Sequence, residues 1–575
     1  CYIIPTDDYH HSEYVGDYFK FREYITGFTG SAGTAVFTKD KAGLWTDGRY
    51  FIQAEAQLKG SGIMLYKSGE SDVPTIEEFL KSELKEGDVL GFDGRTVTYA
   101  QGKRYCHIAD ENGASLKYSL DFAQNIWKER PEMSMEPVFS LEDEYTGEKI
   151  GSKLERIREI MKENGCNAHV LSSLDDIAWL LNIRGNDIAY CPLVLSYAIV
   201  YNNSVELFAD IRKFSDDIIN LLAENQVKIY PYEDIYRKVS EMTSEDKLLL
   251  DSAIMNYSLY QAISKETVIV DKQNPEILMK SVKNETQAEN LRKAHLKDAV
   301  AHTKFMYWLK KNIGRVEITE LSASARLEGL RAEQEHFLGP SFGPISAYGE
   351  HGAIVHYSAD EKSNVPLKEG KLFMTDTGGH YLEGSTDITR TVALGEVGNI
   401  EKEHFTLVAR AMLRLANTVF LYGCSGANLD CIAREVFWKE GLNFNHGTGH
   451  GVGYLLNIHE GPINFRWKEG ERPAPALEEN MVITDEPGIY IEGSHGIRLE
   501  NELLVRKTVK NEYGQFMNFE ILTYVPIDLD AILPEKMNTE EKEMLNHYHK
   551  QVYEKVSPYL SEEERIWLKE YTRAV

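Results

Sequence analysis

Apolar and polar residues alternate in the first part of the chain and then change to a helical period. Residues 33–51, GTAVFTKDKAGLWTDGRYF, combine short apolar runs with turn residues, which predicts two strands joined by a turn. Residues 149–165, KIGSKLERIREIMKENG, place Ile150, Leu154 and Ile157 at helical spacing and end at a glycine. The change of period predicts that a second domain begins near this helix.

The second domain repeats the first in outline. LDDIAWLLNIRG followed by CPLVLSYAIVYNN resembles SEYVGDYFKFREYITGFTG followed by GTAVFTKDKAG in outline, although few letters match. Residues 271–284, DKQNPEILMKSVKN, predict a linker, and a helical run over residues 285–311 follows it. A third domain therefore opens there.

Strand patterns return in this third domain. They lie in HGAIVHYS, KLFMTDTGGHYLEGSTDITRTVAL and MVITDEPGIYIEGSHGIRLENELLV, with helical stretches between them. Because strands and helices do not alternate regularly, the pattern favours an α+β domain over a series of βαβ units.

The last part of the chain predicts helices that carry an apolar stripe. Asn538 with Glu541, and Ser561 with Glu564, have the spacing of capping boxes. The apolar residues of the stripe are Leu545, Tyr548, Val552, Ile566, Trp567 and Leu568. The stripe must be buried, either against the back of its own domain, which is the simpler interpretation, or in a dimer interface.

Composition and charge exclude several classes of function. A chain of 575 residues predicts three or four domains, and its net charge of −27 disfavours nucleic acid and anionic membranes as partners. The sequence has no apolar stretch of about eighteen residues, and its first residues do not show the basic and then apolar pattern of a signal segment. The six cysteines form no CxxC pair, which fits a reducing cytoplasm.

The most unusual segment is NHGTGHGVGYLLNIHEG, residues 445–461, with three histidines and five glycines. It fits neither the dinucleotide pattern GxGxxG nor the Gly-Lys-Ser/Thr ending of a phosphate-binding loop. A GxSxG pattern at residues 339–343 is followed by Pro344 and a strand-like run, whereas a nucleophilic serine needs a helix there. The histidines therefore indicate a chemistry other than phosphate binding or attack by a serine nucleophile.

Two predicted hairpins supply acidic partners for His450. Asp376 and Asp387 stand on opposite arms of one turn, and Glu486 and Glu500 stand on opposite arms of another. Each acid alone is most simply a solvated strand residue, but four carboxylates that converge in apolar surroundings are tolerable only with cations. Four carboxylates and one imidazole suit hard or borderline ions such as Mn²⁺, and two ions about 3.5–4 Å apart can share bridging carboxylates.

These segments resemble a known family. HYSAD, TDTGGHYLEGSTDITRT, NHGTGHGVGYLLNIHEGP, TDEPGIY and GIRLENELL are similar to the motif series of the pita-bread metallopeptidases, and specifically of the cytosolic Xaa-Pro aminopeptidases. The similarity runs from WTDGRYF near the start to ILTYVPIDL before the tail, with Asp376-Thr377-Gly378 in place of the usual Asp-Ser-Gly. It implies a pita-bread catalytic domain after two related creatinase-N-terminal-like α/β domains, and a helical C-terminal extension used in dimerisation. The implied boundaries are residues 1–140, 141–282, 283–510 and 511–575.

The resemblance also assigns roles to single residues. The implied ligands of a two-metal centre are Asp376, Asp387, His450, Glu486 and Glu500. Asp387 and Glu500 would bridge both ions, and Glu486 would also shuttle a proton as a catalytic residue. The implied substrate-binding residues are Arg49, His356, His446 and His459, and the three histidines would also stabilise the tetrahedral intermediate catalytically.

Neighbouring residues of similar type are predicted to have other roles. His351, His380 and His495 lie close to the motifs, but we do not expect them to be ligands. Arg390 and Arg498 are predicted to pair with acids beside the metal centre.

The implied activity is removal of the N-terminal residue from peptides with proline at position 2, by a hydroxide activated at two divalent ions, most simply Mn²⁺. The protein would then be a cytoplasmic homodimer with peptide substrates. Two alternatives stay open at this point: a prolidase, which shares the metal set but cleaves dipeptides only, and a metal-free binding module of the same fold. The five filled ligand positions disfavour the second.

Overall fold

A computed structural model of the chain describes residues 1–468, 470 and 472–575. The described residues form two compact units, one of residues 1–143 with 148–277 and the other of residues 144–147 with 278–575. No helix among the described residues has the length and apolar character needed to cross a membrane.

The first unit begins with a six-stranded sheet. Its strands are β1 (Tyr2–Pro5), β2 (Thr34–Phe37), β3 (Ala42–Thr46), β4 (Met64–Lys67), β5 (Val89–Gly91) and β6 (Ser115–Lys117). Its helices are α1 (Phe21–Thr26), α2 (Phe51–Leu58), α3 (Ile76–Glu83), α4 (Tyr99–Glu111) and α5 (Phe122–Ile126). The strand order is β4-β3-β2-β1-β5-β6, and the antiparallel pair β2–β3 confirms the hairpin predicted over residues 33–51.

A second sheet follows in the same unit. Its strands and those of a small neighbouring pair are β7 (Phe139–Ser140), β8 (Ala168–Leu171), β9 (Ile183–Arg184), β10 (Tyr197–Tyr201), β11 (Val205–Phe208), β12 (Val227–Tyr230), β13 (Lys247–Leu250) and β14 (Val268–Asp271). The helices are α6 (Asp143–Thr146), α7 (Ile150–Glu163), α8 (Leu174–Leu180), α9 (Asp216–Glu224), α10 (Asp234–Ser240), α11 (Tyr257–Ala262) and α12 (Pro275–Ser281). Of these, α6 and α12 cross the boundary between the two units, since residues 144–147 and 278–281 belong to the second.

The second sheet repeats the topology of the first. Its order is β12-β11-β10-β8-β13-β14, so that corresponding strands occupy corresponding places in the two sheets. The parallel and antiparallel pairings also correspond, with β8–β10 antiparallel like β1–β2 and β8–β13 parallel like β1–β5. The predicted repeat is therefore confirmed. The predicted helix is α7, which buries Ile150, Leu154 and Ile157.

The predicted linker over residues 271–284 is wrong in part. Residues Pro275–Ser281 form the helix α12. Proline is tolerated in the first turn of a helix, because the N–H that it lacks has no partner there in any case. The helical run predicted after the linker is confirmed as a helix whose capping box joins Asn284 and Gln287.

The second unit has mixed helices and strands. The helices are α13 (Glu285–Asn312), α14 (Glu320–Ala332), α15 (Asn399–Ala416), α16 (Gly426–Lys439), α17 (Thr539–Val556) and α18 (Glu562–Tyr571). The strands are β15 (Phe337–Pro340), β16 (Ile345–Tyr348), β17 (Lys371–Thr377), β18 (Gly379–Tyr381), β19 (Gly384–Ser385), β20 (Ile388–Leu394), β21 (Phe420–Leu421), β22 (Gly449–Gly451), β23 (Glu460–Phe465), β24 (Val482–Asp485), β25 (Gly488–Ile491), β26 (His495–Arg498), β27 (Asn501–Asn511) and β28 (Gly514–Ile521).

Four sheets are formed from these strands. The largest has the order β21-β28-β27-β24-β22-β23, and the others are β16-β17-β20, β15-β18-β19 and the pair β25-β26. Short 3-10 helices lie at Asp17–Phe19, Ile211–Lys213, Gly349–Ala353, Leu529–Ala531, Pro534–Lys536 and Ser557–Tyr559. The candidate site lies where the end of the largest sheet meets the end of β17–β20.

The C-terminal helices pack on the second unit itself. Leu545, Tyr548, Val552 and Leu568 are buried in the same hydrophobic core as α13 and α15. This packing confirms the simpler interpretation of the tail. Ile566 was predicted to share the buried stripe, but it is 66% exposed, because only one face of the short helix α18 turns inward.

Candidate metal centre

The two aspartates lie at one end of an antiparallel strand pair. Asp376, near the end of β17, is opposite Thr389 of β20, and Asp387 directly precedes β20. Side chains of residues 387 and 389 point to the same face of a strand, so Asp376 and Asp387 are diagonal neighbours on that face. They converge, although they are not directly opposite each other.

The two glutamates lie at the end of a second antiparallel pair. Asp485 of β24 is opposite Asn501 of β27, so that Glu486 directly follows and Glu500 directly precedes this pair. Glu500 also joins the two strand pairs, because its N–H donates to the Thr389 carbonyl at 3.1 Å and its carboxylate accepts from Thr389 Oγ1 at 2.7 Å. The four carboxylates thus lie around the junction of two sheets, and of these Asp387 and Glu500 belong to the described cluster of ligand atoms.

His450 is held on β22, beside β24. Its backbone N–H donates to Thr484 Oγ1 at 3.0 Å, and its Nδ1 lies 2.9 Å from the Gly451 carbonyl oxygen. A carbonyl oxygen only accepts, so Nδ1 carries the proton and the lone pair of the ring is on Nε2. Nε2 is 3.5 Å from Asp387 Oδ2 and 3.7 Å from Glu486 Oε1.

Glycines allow β22 to reach this place. A Cβ atom on Gly449 would lie 1.9 Å from the Thr484 carbonyl oxygen, and one on Gly451 would lie 2.2 Å from the Glu460 carbonyl oxygen. Neither position could hold a side chain without displacing the neighbouring strand. The glycine-rich sequence therefore serves close packing of the strand that carries His450.

The donor set fits divalent cations. One ligand atom each of Asp387, His450 and Glu500 lie within 4.8 Å of one another. Burial, with the neighbouring Asp376 carboxylate, raises the pKa of Asp387 to about 7, and burial raises the pKa of Glu500 well above its usual range. Asp376 Oδ1 and Glu500 Oε1 are buried with no hydrogen-bond partner among the described residues. Oxygen atoms left in this way are stabilised by a bound cation.

An arginine and a tyrosine connect this set to His446. Arg498 forms an ion pair with Asp376, which confirms the predicted acid partner, and its Nη1 donates to Tyr490 Oη at 2.7 Å. Tyr490 Oη lies 2.8 Å from His446 Nε2, while His446 Nδ1 lies 2.6 Å from the Gly447 carbonyl oxygen. Both ring nitrogens of His446 thus have protein partners. Burial, with Arg498, lowers the pKa of His446 to about 3, so the imidazole is neutral.

The prediction that Arg390 pairs with an acid is wrong. It donates to the carbonyl oxygens of Thr389, Glu500 and Val525 and to Asn501 and Tyr548, rather than to an acid. Successive residues of a strand point to opposite faces, and Thr389 already occupies the face of the carboxylates.

The other two predicted substrate histidines are connected to the donor set in different ways. His459 is half-buried, and its ring meets that of His450 edge to face with 4.3 Å between centroids. His356 follows Val355, whose carbonyl accepts from Arg498 Nη2 at 3.3 Å. His459 therefore contacts a candidate ligand directly, whereas the backbone beside His356 contacts Arg498, the ion-pair partner of Asp376.

The histidines that we did not expect to be ligands have other partners. His351 Nδ1 lies 2.8 Å from Glu320 Oε1, and His380 Nδ1 lies 2.8 Å from Ser385 Oγ. His495 Nε2 lies 2.9 Å from His404 Nδ1. None of the three belongs to the described cluster of ligand atoms.

Arg49 lies in the first unit. Its guanidinium donates to both carboxylate oxygens of Asp47 at 2.8 Å, and it lies over the ring of Tyr50. Its predicted contact with substrate stays a prediction. Ser341 of the GxSxG pattern is buried and donates to the Thr386 carbonyl at 2.8 Å, so it is held as a structural residue.

Three residues that contact this site, Tyr490, Glu502 and His295, have no clear signal in the sequence. Tyr490 lies inside the segment TDEPGIY, and strand alternation places it on the same face as Gly488, but nothing in the pattern names its partners. Glu502 and His295 are 115 and 92 residues from Asp387 along the chain, and no local signal connects them to it.

Comparison with known proteins identifies the family to which the chain belongs. Residues 289–507 match the model of Metallopeptidase family M24, and residues 515–575 match the C-terminal region of peptidase M24. Residues 20–117 and 129–287 match two models of the Creatinase/Prolidase N-terminal domain. The fold is thus that of a metallopeptidase with a pita-bread catalytic domain, two related N-terminal domains and a C-terminal region.

Relatives that match over nearly the whole chain identify the group of enzymes within this family. The chain is 35% identical to Aminopeptidase P1 of Arabidopsis thaliana, over 100% of this chain and 96% of the relative, and 36% identical to Xaa-Pro aminopeptidase 1 of Dictyostelium discoideum, over 97% and 91%. A crystal structure of X-prolyl aminopeptidase from Caenorhabditis elegans, described as a cytosolic enzyme with a di-nuclear active site, superposes with a TM-score of 0.95 at 35% identity, over 100% of this chain and 95% of that one. The chain belongs to the Xaa-Pro aminopeptidases of metallopeptidase family M24 and is therefore a hydrolase.

The structure of a prolidase-type enzyme is similar to a smaller part of this chain. Xaa-Pro dipeptidase from Bacillus anthracis is 24% identical, with a TM-score of 0.53 over 66% of this chain and 99% of that one. This likeness shows a shared fold only.

Proposed function

We propose that this protein releases the N-terminal residue from peptides with proline at position 2, using two divalent metal ions. The observation that carries the proposal is the convergence of Asp387, His450 and Glu500, with their ligand atoms within 4.8 Å of one another, at the junction of two sheets. Relatives similar over the full length are named Xaa-Pro aminopeptidases, and the related structure has a di-nuclear site.

The ions would be held by five side chains. They are Asp376, Asp387, His450, Glu486 and Glu500. Asp387, His450 and Glu500 would supply the central ligand atoms, which lie within 4.8 Å of one another, and Asp376 and Glu486 would complete the set. An oxygen-rich set with one imidazole favours Mn²⁺ over softer ions. When bound, such ions activate a water molecule and polarise the carbonyl group that is cleaved.

The residues of the chain supply proton transfer and orientation. Glu486 is half-buried at the edge of the set, with its N–H fixed to the Thr448 carbonyl at 2.8 Å, and would accept and return the proton. His356 and His459 would donate hydrogen bonds to the substrate carbonyl as charge develops on it. His446 would line the substrate site with its ring, since its nitrogens contact Gly447 and Tyr490.

Proline at position 2 explains why a dedicated enzyme is needed. The Xaa-Pro bond is a tertiary amide without an N–H group, so a site that requires that donor loses a contact. We propose that Arg49 adds a contact to the part of the peptide that follows the cleaved bond.

A cleavage assay after chelation tests this function. We expect complete chelation to abolish release of arginine from Arg-Pro-Pro, and Mn²⁺ to restore it more fully than Co²⁺ or Zn²⁺. Cleavage of Gly-Pro should stay slower than that of the tripeptide. Activity on Arg-Pro-Pro that survives chelation would contradict the metal mechanism, and a strong preference for Gly-Pro would indicate a prolidase.

A pair of histidine variants locates the metal site. We expect His450→Ala to lower kcat/KM at least about 100-fold, because the ligand itself is lost. The matched control is His351→Ala, which removes a histidine that contacts Glu320 and not the donor set. An active His450→Ala enzyme with normal metal content would place the ions elsewhere.

We further propose that the protein is a cytoplasmic homodimer. Six free cysteines and the cytosolic relative support the location. Trp438 and Trp467 pack together with 5.8 Å between ring centroids and are 42% and 45% exposed, and such an apolar patch suits a second copy of the chain. Light scattering at several concentrations would give the mass of two chains, and a constant monomer mass would contradict the dimer.

A further inference from the structure

A buried carboxylate that is not one of the five candidate ligands lies directly behind Asp387. The Asp387 N–H donates to Glu502 Oε1 at 2.7 Å. The other oxygen, Glu502 Oε2, lies 3.1 Å from Nε2 of His295 on α13, which is within ion-pair distance but without the alignment of a hydrogen bond, and both of these side chains are 0% exposed. Asp387 is thus connected through Glu502 to the long helix of the unit.

The backbone of Glu502, whose carboxylate contacts the Asp387 N–H, is fixed within a sheet. Glu502 is opposite Thr484 in the β24–β27 pair, and its own N–H donates to Thr523 Oγ1 at 2.9 Å. It is two residues after Glu500, so both side chains project from the same face of one strand. The strand that supplies one candidate ligand therefore also fixes the backbone of another.

A second contact from α13 reaches the same place. Asp298, one helical turn after His295, accepts from Thr386 Oγ1 and from Arg331 Nε, the latter at 2.7 Å. Arg331 Nη2 in turn donates to the Thr377 carbonyl at 3.1 Å. Thr386 precedes Asp387, and Thr377 follows Asp376.

Burying a carboxylate is unfavourable by several kcal/mol unless it is paired, and a backbone carbonyl could have satisfied the same N–H without that cost. A carboxylate between a helix and a strand does more than satisfy one donor, because it sets the distance between them. Groups that orient metal ligands in this way commonly change metal affinity when they are removed.

We propose that Glu502, held by His295, is a positioning residue that fixes Asp387 for binding of divalent ions. The inference rests on the proposed metal-dependent function. It assigns Glu502 no contact with substrate, and its expected effect is on metal affinity more than on the turnover of the metal-saturated enzyme.

The same unit contains a matched control. Asp528 is also 0% exposed, accepts a backbone N–H of β20, from Ala393 at 2.8 Å, and pairs with a cation of α13, Lys310, at 2.6 Å. It therefore has the chemistry of Glu502, but it contacts the opposite end of β20 from Asp387.

Calorimetric titration of the chelated full-length protein with Mn²⁺ tests the proposal. We expect Glu502→Ala to weaken Mn²⁺ binding about 10–100-fold, whereas Glu502→Gln, whose amide oxygen accepts the same N–H, stays within about threefold of wild type. Asp528→Ala should lose thermal stability but keep wild-type Mn²⁺ affinity. At saturating Mn²⁺, Glu502→Ala should recover most of kcat.

Two results would overturn the proposal: wild-type Mn²⁺ affinity in Glu502→Ala, or an equal loss of affinity in Asp528→Ala. If Glu502→Ala does not fold, Glu502→Asp decides, because its shorter carboxylate loses the N–H contact but keeps the charge, and unchanged affinity in that variant contradicts the proposal. Failure of the proposed function itself would look different, since wild type would then cleave Arg-Pro-Pro after chelation.

Discussion

Two histidines of one glycine-rich segment, His446 and His450, have the same kind of contact at Nδ1 but different contacts at Nε2. In both His446 and His450, Nδ1 contacts the carbonyl oxygen of the following glycine. What differs is the group that faces Nε2: Tyr490 Oη for His446, and the carboxylates of Asp387 and Glu486 for His450. The same tautomer therefore gives a hydrogen-bond acceptor at one position and a candidate metal ligand at the other.

The hydroxyl of Tyr490 can be removed to test the connection between His446 and Arg498. We expect Tyr490→Phe to lower kcat/KM about tenfold, because groups that orient ligands commonly have effects of this size. Stability should fall by only about 1–2 kcal/mol. Tyr513→Phe, at a residue that is 74% exposed, is the control and should not change kcat/KM. Steady-state kinetics on Arg-Pro-Pro gives the answer, and an unchanged kcat/KM would show that the Tyr490 hydroxyl is dispensable.

At the scale of the element, both acidic pairs lie at the ends of antiparallel strands. Strand alternation brings alternate residues to one face, and the end of a strand leaves the backbone free to turn a carboxylate toward a neighbour. Glu500 shows this arrangement, since it precedes β27 while its N–H and carboxylate both contact Thr389. The tail helices follow another pattern, because their apolar side chains complete a core made by other elements.

The packing of α17 leads to a stability prediction. We expect Leu545→Ala to lower the free energy of unfolding by about 2–5 kcal/mol, because Leu545 is fully buried in the core of the second unit. Ile566→Ala removes an exposed apolar residue of α18 and should stay within about 0.5 kcal/mol. Urea unfolding compares the two variants, and similar midpoints would mean that α17 does not stabilise this core.

At the scale of the whole chain, the two compact units contain different features. The two sheets with the same strand order lie in the first unit. All five candidate ligands, the histidines beside them, Glu502 and the tail lie in the second. Metal binding is therefore built within one unit, and buried ionisable groups there also connect its stability to pH.

His549 of α17 gives a pH prediction. It is buried and accepts the Ile527 N–H at 3.1 Å, and burial lowers its pKa to about 3. Since the unfolded value is about 6.5, the unfolded chain binds one more proton than the folded chain between these pH values. Stability should therefore fall as pH decreases from about 6.5 toward 3, by up to about 1.4 kcal/mol per pH unit from this group.

We expect His549→Gln to reduce that pH dependence by about one proton, since the amide oxygen accepts the same N–H but does not titrate. His547→Gln, on the exposed face of the same helix, should keep the wild-type slope. Urea midpoints at about pH 6 and pH 4.5 measure the difference. Equal slopes in wild type and His549→Gln would show that this imidazole is protonated in the folded protein.

Features that depend on near neighbours could be predicted from the amino-acid sequence. The β2–β3 hairpin follows from apolar runs around a turn, α7 from the spacing of Ile150, Leu154 and Ile157, and the starts of α17 and α18 from their capping boxes. The chemical character of the site was also readable, because His450 and the acids of two hairpins are the residue types that bind divalent ions.

Which distant groups meet could not be predicted in this way, because it depends on the tertiary fold. It placed Asp376 diagonally to Asp387, turned Arg390 away from the acids, formed α12 inside a predicted linker and left Ile566 exposed. It also brought Glu502 and His295 behind Asp387. The physical reason is that helical period and caps are set within a few residues, whereas such contacts depend on strand register and on which face of each element is buried.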